Sequence, residues 1–142
     1  MSNSAFTVEQ FRRLASASFS FLEEKGFSRM PNLEEALPTG GTLAYLGKHV
    51  GFIFSLDLRD ECVDAQVVRV WDGRMKRNWE GGYSADLFTH LVGNAGYRGR
   101  PARSTTDQTS HDRLQRMIDE WAQLLKDAGE SLLSDKPESL PV

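Results

Sequence analysis

The chain has 142 residues, 39% of them apolar and 26% charged, with a net charge of −3 at neutral pH. This size and balance fit one globular domain with a core of its own, and no apolar run is long enough to cross a bilayer as a helix. The one cysteine, Cys62, excludes an intrachain disulfide and a cysteine metal cluster, and is expected to be a buried strand residue.

The opening residues, MSNSAFTVEQ, lack the basic and apolar stretches of a secretory signal, so a cytoplasmic protein is expected. Charge is uneven along the chain. Residues 1–68 carry 6 basic and 9 acidic groups, 69–103 carry 7 and 3, and 104–142 carry 4 and 8. An acidic whole argues against a dedicated nucleic-acid binder, whose affinity comes mainly from neutralising phosphates. The basic middle keeps a local nucleic-acid surface open.

In chain order, Thr7-Val8-Glu9-Gln10 matches a capping box. It predicts a helix over 8–25, with Phe11, Leu14, Ala15, Ser18, Phe21 and Leu22 on one face. Gly26 suits a left-handed stop, with Phe27 supplying its apolar contact. Residues 27–30 read as a short edge strand ended by Pro31, residues 32–37 as one helical turn before Pro38, and Thr39-Gly40-Gly41 as a turn. The glycine pair lacks the Lys-Ser/Thr of a phosphate loop.

The strongest pattern runs over 42–71. Val50, Phe52, Phe54, Leu56 and Leu58 alternate with Gly51, Ile53, Ser55, Asp57 and Arg59, a period of two that puts the first set on one face of a strand. Thr42–Leu46 before it and Cys62–Trp71 after it complete a three-stranded antiparallel meander with one apolar face. In the last strand Val63, Ala65 and Val67 share one parity and Val68 and Val70 the other. Either a bulge changes face there, or the strand is central and covered on both sides.

Asp72-Gly73 predicts a turn, and the polar, glycine-rich stretch 74–83 allows a return strand or a long loop. Ser84 is read as the cap of a short helix, with Asp86 in its first turn and Leu87, Phe88, Leu91 and Val92 on one side. Residues 95–109 form a linker. Ser110 caps a final helix, with Leu114, Met117, Ile118, Trp121, Leu124, Leu125 and Ala128 as one stripe. Gly129 ends it, or Glu130–Leu133 adds a turn, and 134–142 is expected to be a disordered tail. The resulting expectation is an α+β fold over 1–133. An antiparallel meander of three to four strands packs against an N-terminal helix and a long C-terminal helix.

Residues able to carry chemistry are few. His49, His90 and His111 lack further ligands at metal spacing, no G-x-S-x-G is present, and no G-x-G-x-x-G follows a strand. No catalytic residue, metal or cofactor is expected. Trp71 and Trp121 continue apolar patterns and are expected in the core. Asp57, Arg59, Asp60, Glu61 and Asp64 surround one hairpin turn. They would receive a basic partner, or serve as a solvated turn that blocks edge-to-edge aggregation. Arg74, Lys76 and Arg77, with Trp79 and Tyr83, mix cations and aromatics as a nucleic-acid surface does, and Arg98, Arg100 and Arg103 would extend it.

Three stretches carry a resemblance. They are residues 19–27 (FSFLEEKGF), 43–46 (LAYL) and 50–60 (VGFIFSLDLRD). Together they resemble a widespread group of small uncharacterised bacterial proteins, in which a helix with a Gly-Phe stop leads into an alternating hairpin with an Arg-Asp turn. Several of those resemble immunity proteins of polymorphic toxin systems. The resemblance covers about residues 6–70 and implies no catalytic residue. It implies a small cytosolic protein that neutralises a cognate toxin by occluding it. The residues themselves, and not the resemblance, suggest the surface for that role: Asp57, Arg59, Asp60, Glu61, Asp64, Trp79 and Tyr83. The alternative is a nucleic-acid-associated accessory protein using the basic region 74–103. An open sheet edge would also let two copies pair.

Overall fold

A computed structural model describes residues 7–76, 82–94, 110–136 and 140 of the chain. The capping box forms as expected. Thr7 Oγ1 accepts from the Gln10 N–H at 3.1 Å, and Gln10 Oε1 accepts from the Thr7 N–H at 2.9 Å. The single helix expected over 8–25 is two helices, α1 (Val8–Ser18) and α2 (Ser20–Glu24), broken at Phe19. The break turns the Phe19 ring inward, where it stacks on Phe54 with centroids 3.8 Å apart. The buried set is therefore Phe11, Ala15, Phe19 and Leu22, with Leu14, Ser18 and Phe21 only half-buried. Gly26, at φ 99°, ends α2 in a Schellman motif: Phe27 N–H donates to Leu22 O at 2.9 Å and Gly26 N–H to Glu23 O at 3.1 Å.

Seven strands form one antiparallel sheet. They are β1 (Ser28–Arg29), β2 (Ala36–Leu37), β3 (Gly40–Leu46), β4 (Val50–Asp57), β5 (Cys62–Trp71), β6 (Arg74–Lys76) and β7 (Ser84–Asp86). The predicted meander is its centre, β3-β4-β5, and two short strands flank each side: β1 and β2 on β3, β6 and β7 on β5. The strand count exceeds the expected three to four because the added strands have two or three residues, too few for any period to show. Residues 31–33 are a 3-10 turn, while Ala36–Leu37 is a strand rather than the end of a helical turn. Gly40 and Gly41 belong to β3 and not to the turn. A Cβ on Gly40 would lie 2.0 Å from Leu56 O, so this pairing admits only glycine there.

One face of the meander carries Leu43, Tyr45, Phe52, Phe54, Leu56, Val63, Ala65 and Val67, all within the main core. The other face is not solvated as expected, since Ala44, Leu46, Ile53, Val68 and Val70 are buried as well. The pairing of β4 with β5 is continuous through Val67 and Val68, so there is no bulge and β5 is a central strand. Asp72 and Gly73, at φ 54° and 73°, form the two-residue turn into β6.

Helix α3 (Leu87–Asn94) is capped by Asp86 rather than Ser84: Asp86 Oδ2 accepts from the Thr89 N–H at 3.0 Å, while Ser84 is paired to Val68 in β7. Helix α4 (Ser110–Ala128) buries the predicted stripe from Leu114 to Leu125 and adds Ala122. Trp121 Nε1 donates to Val63 O at 2.6 Å, which pins α4 to β5. Gly129 ends α4, and α5 (Glu130–Leu133) adds the further turn. The chain beyond it, expected as a free tail, is tied at two points. The Asp135 carboxylate accepts from the backbone N–H groups of Lys48, His49 and Val50 at 2.6, 2.8 and 2.9 Å, and Leu140 is buried in the core.

The edge of β3 is closed by short strands, by single backbone bonds (Thr42 N–H to Glu35 O and Met30 N–H to Ala44 O, both 2.9 Å) and by side chains. β1 reaches only Tyr45 and Leu46, and β2 only Gly40 and Gly41. Between them, Ala44 N–H donates to Glu34 Oε2 at 3.1 Å and Thr42 O accepts from Arg12 Nε at 3.1 Å. The Glu34 side chain is 2% exposed and holds Arg29 through two bonds of 3.0 Å, with Arg12 Nε at 3.5 Å. Burial pushes the Glu34 carboxyl up, but the bonds from Arg29 and the Ala44 N–H outweigh it and leave the group below its ordinary value. A lowered carboxyl adds stability at neutral pH that is lost as pH falls from the ordinary value of 4.5 through the folded one. Glu34→Gln is expected to cost about 2–3 kcal/mol at neutral pH, measured by urea unfolding. The variant should also lose part of the acid sensitivity below pH 4.5. A variant as stable as the parent at neutral pH would contradict this role.

Candidate binding surface

The acidic turn divides into residues that shape it and residues that face outward. Asp57 ends β4, and its Oδ1 accepts from the N–H groups of Arg59 at 2.9 Å and Asp60 at 3.2 Å. Glu61 adopts φ 51° and is ion-paired with Arg113 of α4, which fixes the turn against the helix layer. Arg59, Asp60 and Asp64 are exposed. Cys62 is half-buried, and its thiol donates to Asp64 Oδ1 at 3.6 Å. Burial, and next the Asp64 charge, push that thiol up to about 11.

Beside the turn lies an open groove of about 310 Å³. Its walls are Glu35, Leu37 and Thr39 from the β2 hairpin, Thr42 of β3, and Ser55, Asp57 and Arg59 from the end of β4. Leu37 is 59% exposed and Leu33 is 41% exposed, two of the three large apolar side chains that face solvent among the described residues. An apolar side chain is thus ringed by Glu35, Asp57 and Arg59. Sequence reasoning missed Leu37, although one signal was available: neither leucine belongs to a periodic stripe.

Tyr83 does not join this surface. Its carbonyl accepts from the Arg69 N–H at 2.8 Å, its hydroxyl is hydrogen-bonded to His90 Nδ1 at 2.9 Å, and the two rings meet edge to face. His90 is 1% exposed, and burial holds it below its ordinary 6.5, so the pair is neutral and packed. Along β5, Arg69 stands roughly 16 Å from Asp64 at the usual rise per residue. The expected patch therefore separates into the acidic turn at one end of β5 and Tyr83 toward the other.

Trp71 corrects the expectation of a core residue, because it is 60% exposed. Its parity points to the core face, but β5 outruns β4 there: Val50, the first residue of β4, pairs with Arg69. Trp71 instead pairs with the exposed Arg74 across the β5–β6 turn, and Lys76 follows on β6. Trp79, Arg77, Arg98, Arg100 and Arg103 lie outside the described residues. Among the described residues no group of three His, Cys, Asp or Glu could hold a metal ion, and no helix is long and apolar enough to cross a membrane. No protein-family model, curated protein or solved structure matches the chain.

The raised thiol predicts slow chemistry at Cys62. Its shift from 9.0 to about 11 lowers the thiolate fraction at mildly alkaline pH roughly 100-fold. Alkylation of the folded protein should be slower than that of the urea-unfolded chain by at least about tenfold, since a more basic thiolate is also more nucleophilic and offsets part of the loss. Equal rates would show a thiol that is neither buried nor held.

Proposed function

We propose that this chain is a non-catalytic, cytoplasmic protein-binding protein that neutralises a cognate toxin domain by covering it. The exposed Leu37, set in a charged rim on a rigid sheet, carries this reading. An apolar centre inside a polar rim is the usual anatomy of a protein interface, and a few central residues commonly carry most of the binding energy. The turn beside it supplies Asp60 and Asp64, two carboxylates suited to steering a basic partner into place. Asp57 and Glu61 serve the interface indirectly, by holding the turn in shape. Both edges of the meander carry strands of only two or three residues, which offer a second copy little ladder to extend.

A second reading rests on Trp71, whose exposed ring stands beside Arg74 at the β5–β6 turn. An aromatic next to a cation suits stacking on a single-stranded nucleic acid. A partner capture separates the two readings. The tagged chain and its Leu37→Asp, Asp60→Lys variant are passed through lysate and washed at about 0.5 M salt, which screens exposed charges over a few ångström. One stoichiometric protein should remain on the parent chain, bind the variant about 100-fold more weakly, and arrest growth when expressed without the chain. Equal binding by the variant, or a harmless captured protein, would contradict the proposal. Nucleic acid alone, released by salt, would favour the Trp71 surface.

A further inference from the structure

A hollow of about 630 Å³ lies between α1 and the β1–β2 edge, on a part of the molecule that the protein-binding reading does not use. Val8, Glu9, Arg12, Arg13 and Ser16 line it from α1, and Arg29 and Ala36 face them from the strands. Positions 8, 9, 12, 13 and 16 share one side of a helix, so three arginines, Arg12, Arg13 and Arg29, border a single space.

Two of the three are fixed in place. Arg12 donates through Nε to Thr42 O at 3.1 Å and through Nη2 to Glu35 O at 2.7 Å, and Arg29 spends Nε and Nη2 on Glu34. Each therefore keeps Nη1 without a partner among the described residues. Arg13 makes no side-chain bond there, and Glu9, one turn before it, is not ion-paired with it. Closing the β3 edge accounts for Arg12 and Arg29 but not for a third cation beside them. Three cations share this space with one lining carboxylate, Glu9, so like charges outnumber opposite ones and repel, and the carboxylate of Glu34 is already engaged by Arg29, Arg12 and the Ala44 N–H. An anion in the hollow would relieve that repulsion. A phosphate group matches the donor forks of arginine, and its two charges and several oxygens can meet three cations at once; the guanidinium groups of Arg12 and Arg29, already held, lose little freedom on binding it.

We propose that this hollow binds a doubly charged oxyanion, inorganic phosphate or the phosphoryl group of a monoester, through Arg12, Arg13 and Arg29. The inference does not rest on the protein-binding reading. The test is a titration of the isotope-labelled full chain with inorganic phosphate, followed through the arginine Nε–H NMR signals, with chloride at matched ionic strength as control. Signals of Arg12, Arg13 and Arg29 should shift together and saturate with phosphate and stay in place with chloride. Arg13→Gln should weaken binding about tenfold or more, the worth of one charge-assisted contact, with no fall in the unfolding midpoint, because Arg13 makes no side-chain bond among the described residues and losing its charge relieves repulsion. A nucleoside monophosphate binding more tightly than phosphate would identify the monoester as the ligand, and equal affinity the free ion. Shifts that never saturate, equal shifts with chloride, or undiminished binding by Arg13→Gln would overturn the site.

Discussion

The carboxylate of Glu34 ties a helix, an edge strand and the meander to one buried charge. It is buried, so its charge is costly unless every lone pair is met, and it is met by Arg29 of β1, Arg12 of α1 and the Ala44 N–H of β3. The helix layer, the edge strands and the meander are thereby joined at one residue. Both surfaces of interest are built around that corner. β2 follows directly, and alternation along it sends Ala36 toward α1 and Leu37 away from it. The arginine hollow lies on the first side and the groove beside the acidic turn on the second.

The architecture was legible wherever local stereochemistry or a long period decided it. The capping box at Thr7, the Gly26-Phe27 stop, the alternation over Val50–Leu56 and the stripe of α4 are of this kind. The failures come from decisions made across space. The break at Phe19 follows from a ring stacked on Phe54, and the burial of both sheet faces from β5 being central. The choice of Asp86 over Ser84 as a helix cap depends on β7 pairing with β5. Trp71 has core parity but stands where no strand of the meander continues beside it.

The acidic turn was visible as a cluster, but its division of labour was not. Composition cannot tell that Asp57 is spent on the turn's own amides and Glu61 on Arg113, leaving Asp60 and Asp64 to face outward. Glu34 was harder still. In sequence it is one of two adjacent glutamates between Pro31 and Pro38, and only the arrangement of residues 12, 29 and 44 around it gives it a role. Leu37 and Arg13 take their interest from the same source: each lies next to the corner and is left over once the corner is satisfied. A binding protein needs such a division, with a rigid scaffold below and unspent groups above.

Amide hydrogen exchange at Ala44 reads the state of this corner without intermediary. Its N–H donates to a side-chain carboxylate rather than to a strand, so its protection reports whether Glu34 holds the edge. At neutral pH this amide should exchange as slowly as the ladder amides of β4. Exchange at the rate of an exposed loop, with β4 still protected, would show that the corner is open and that neither surface is held in shape by it.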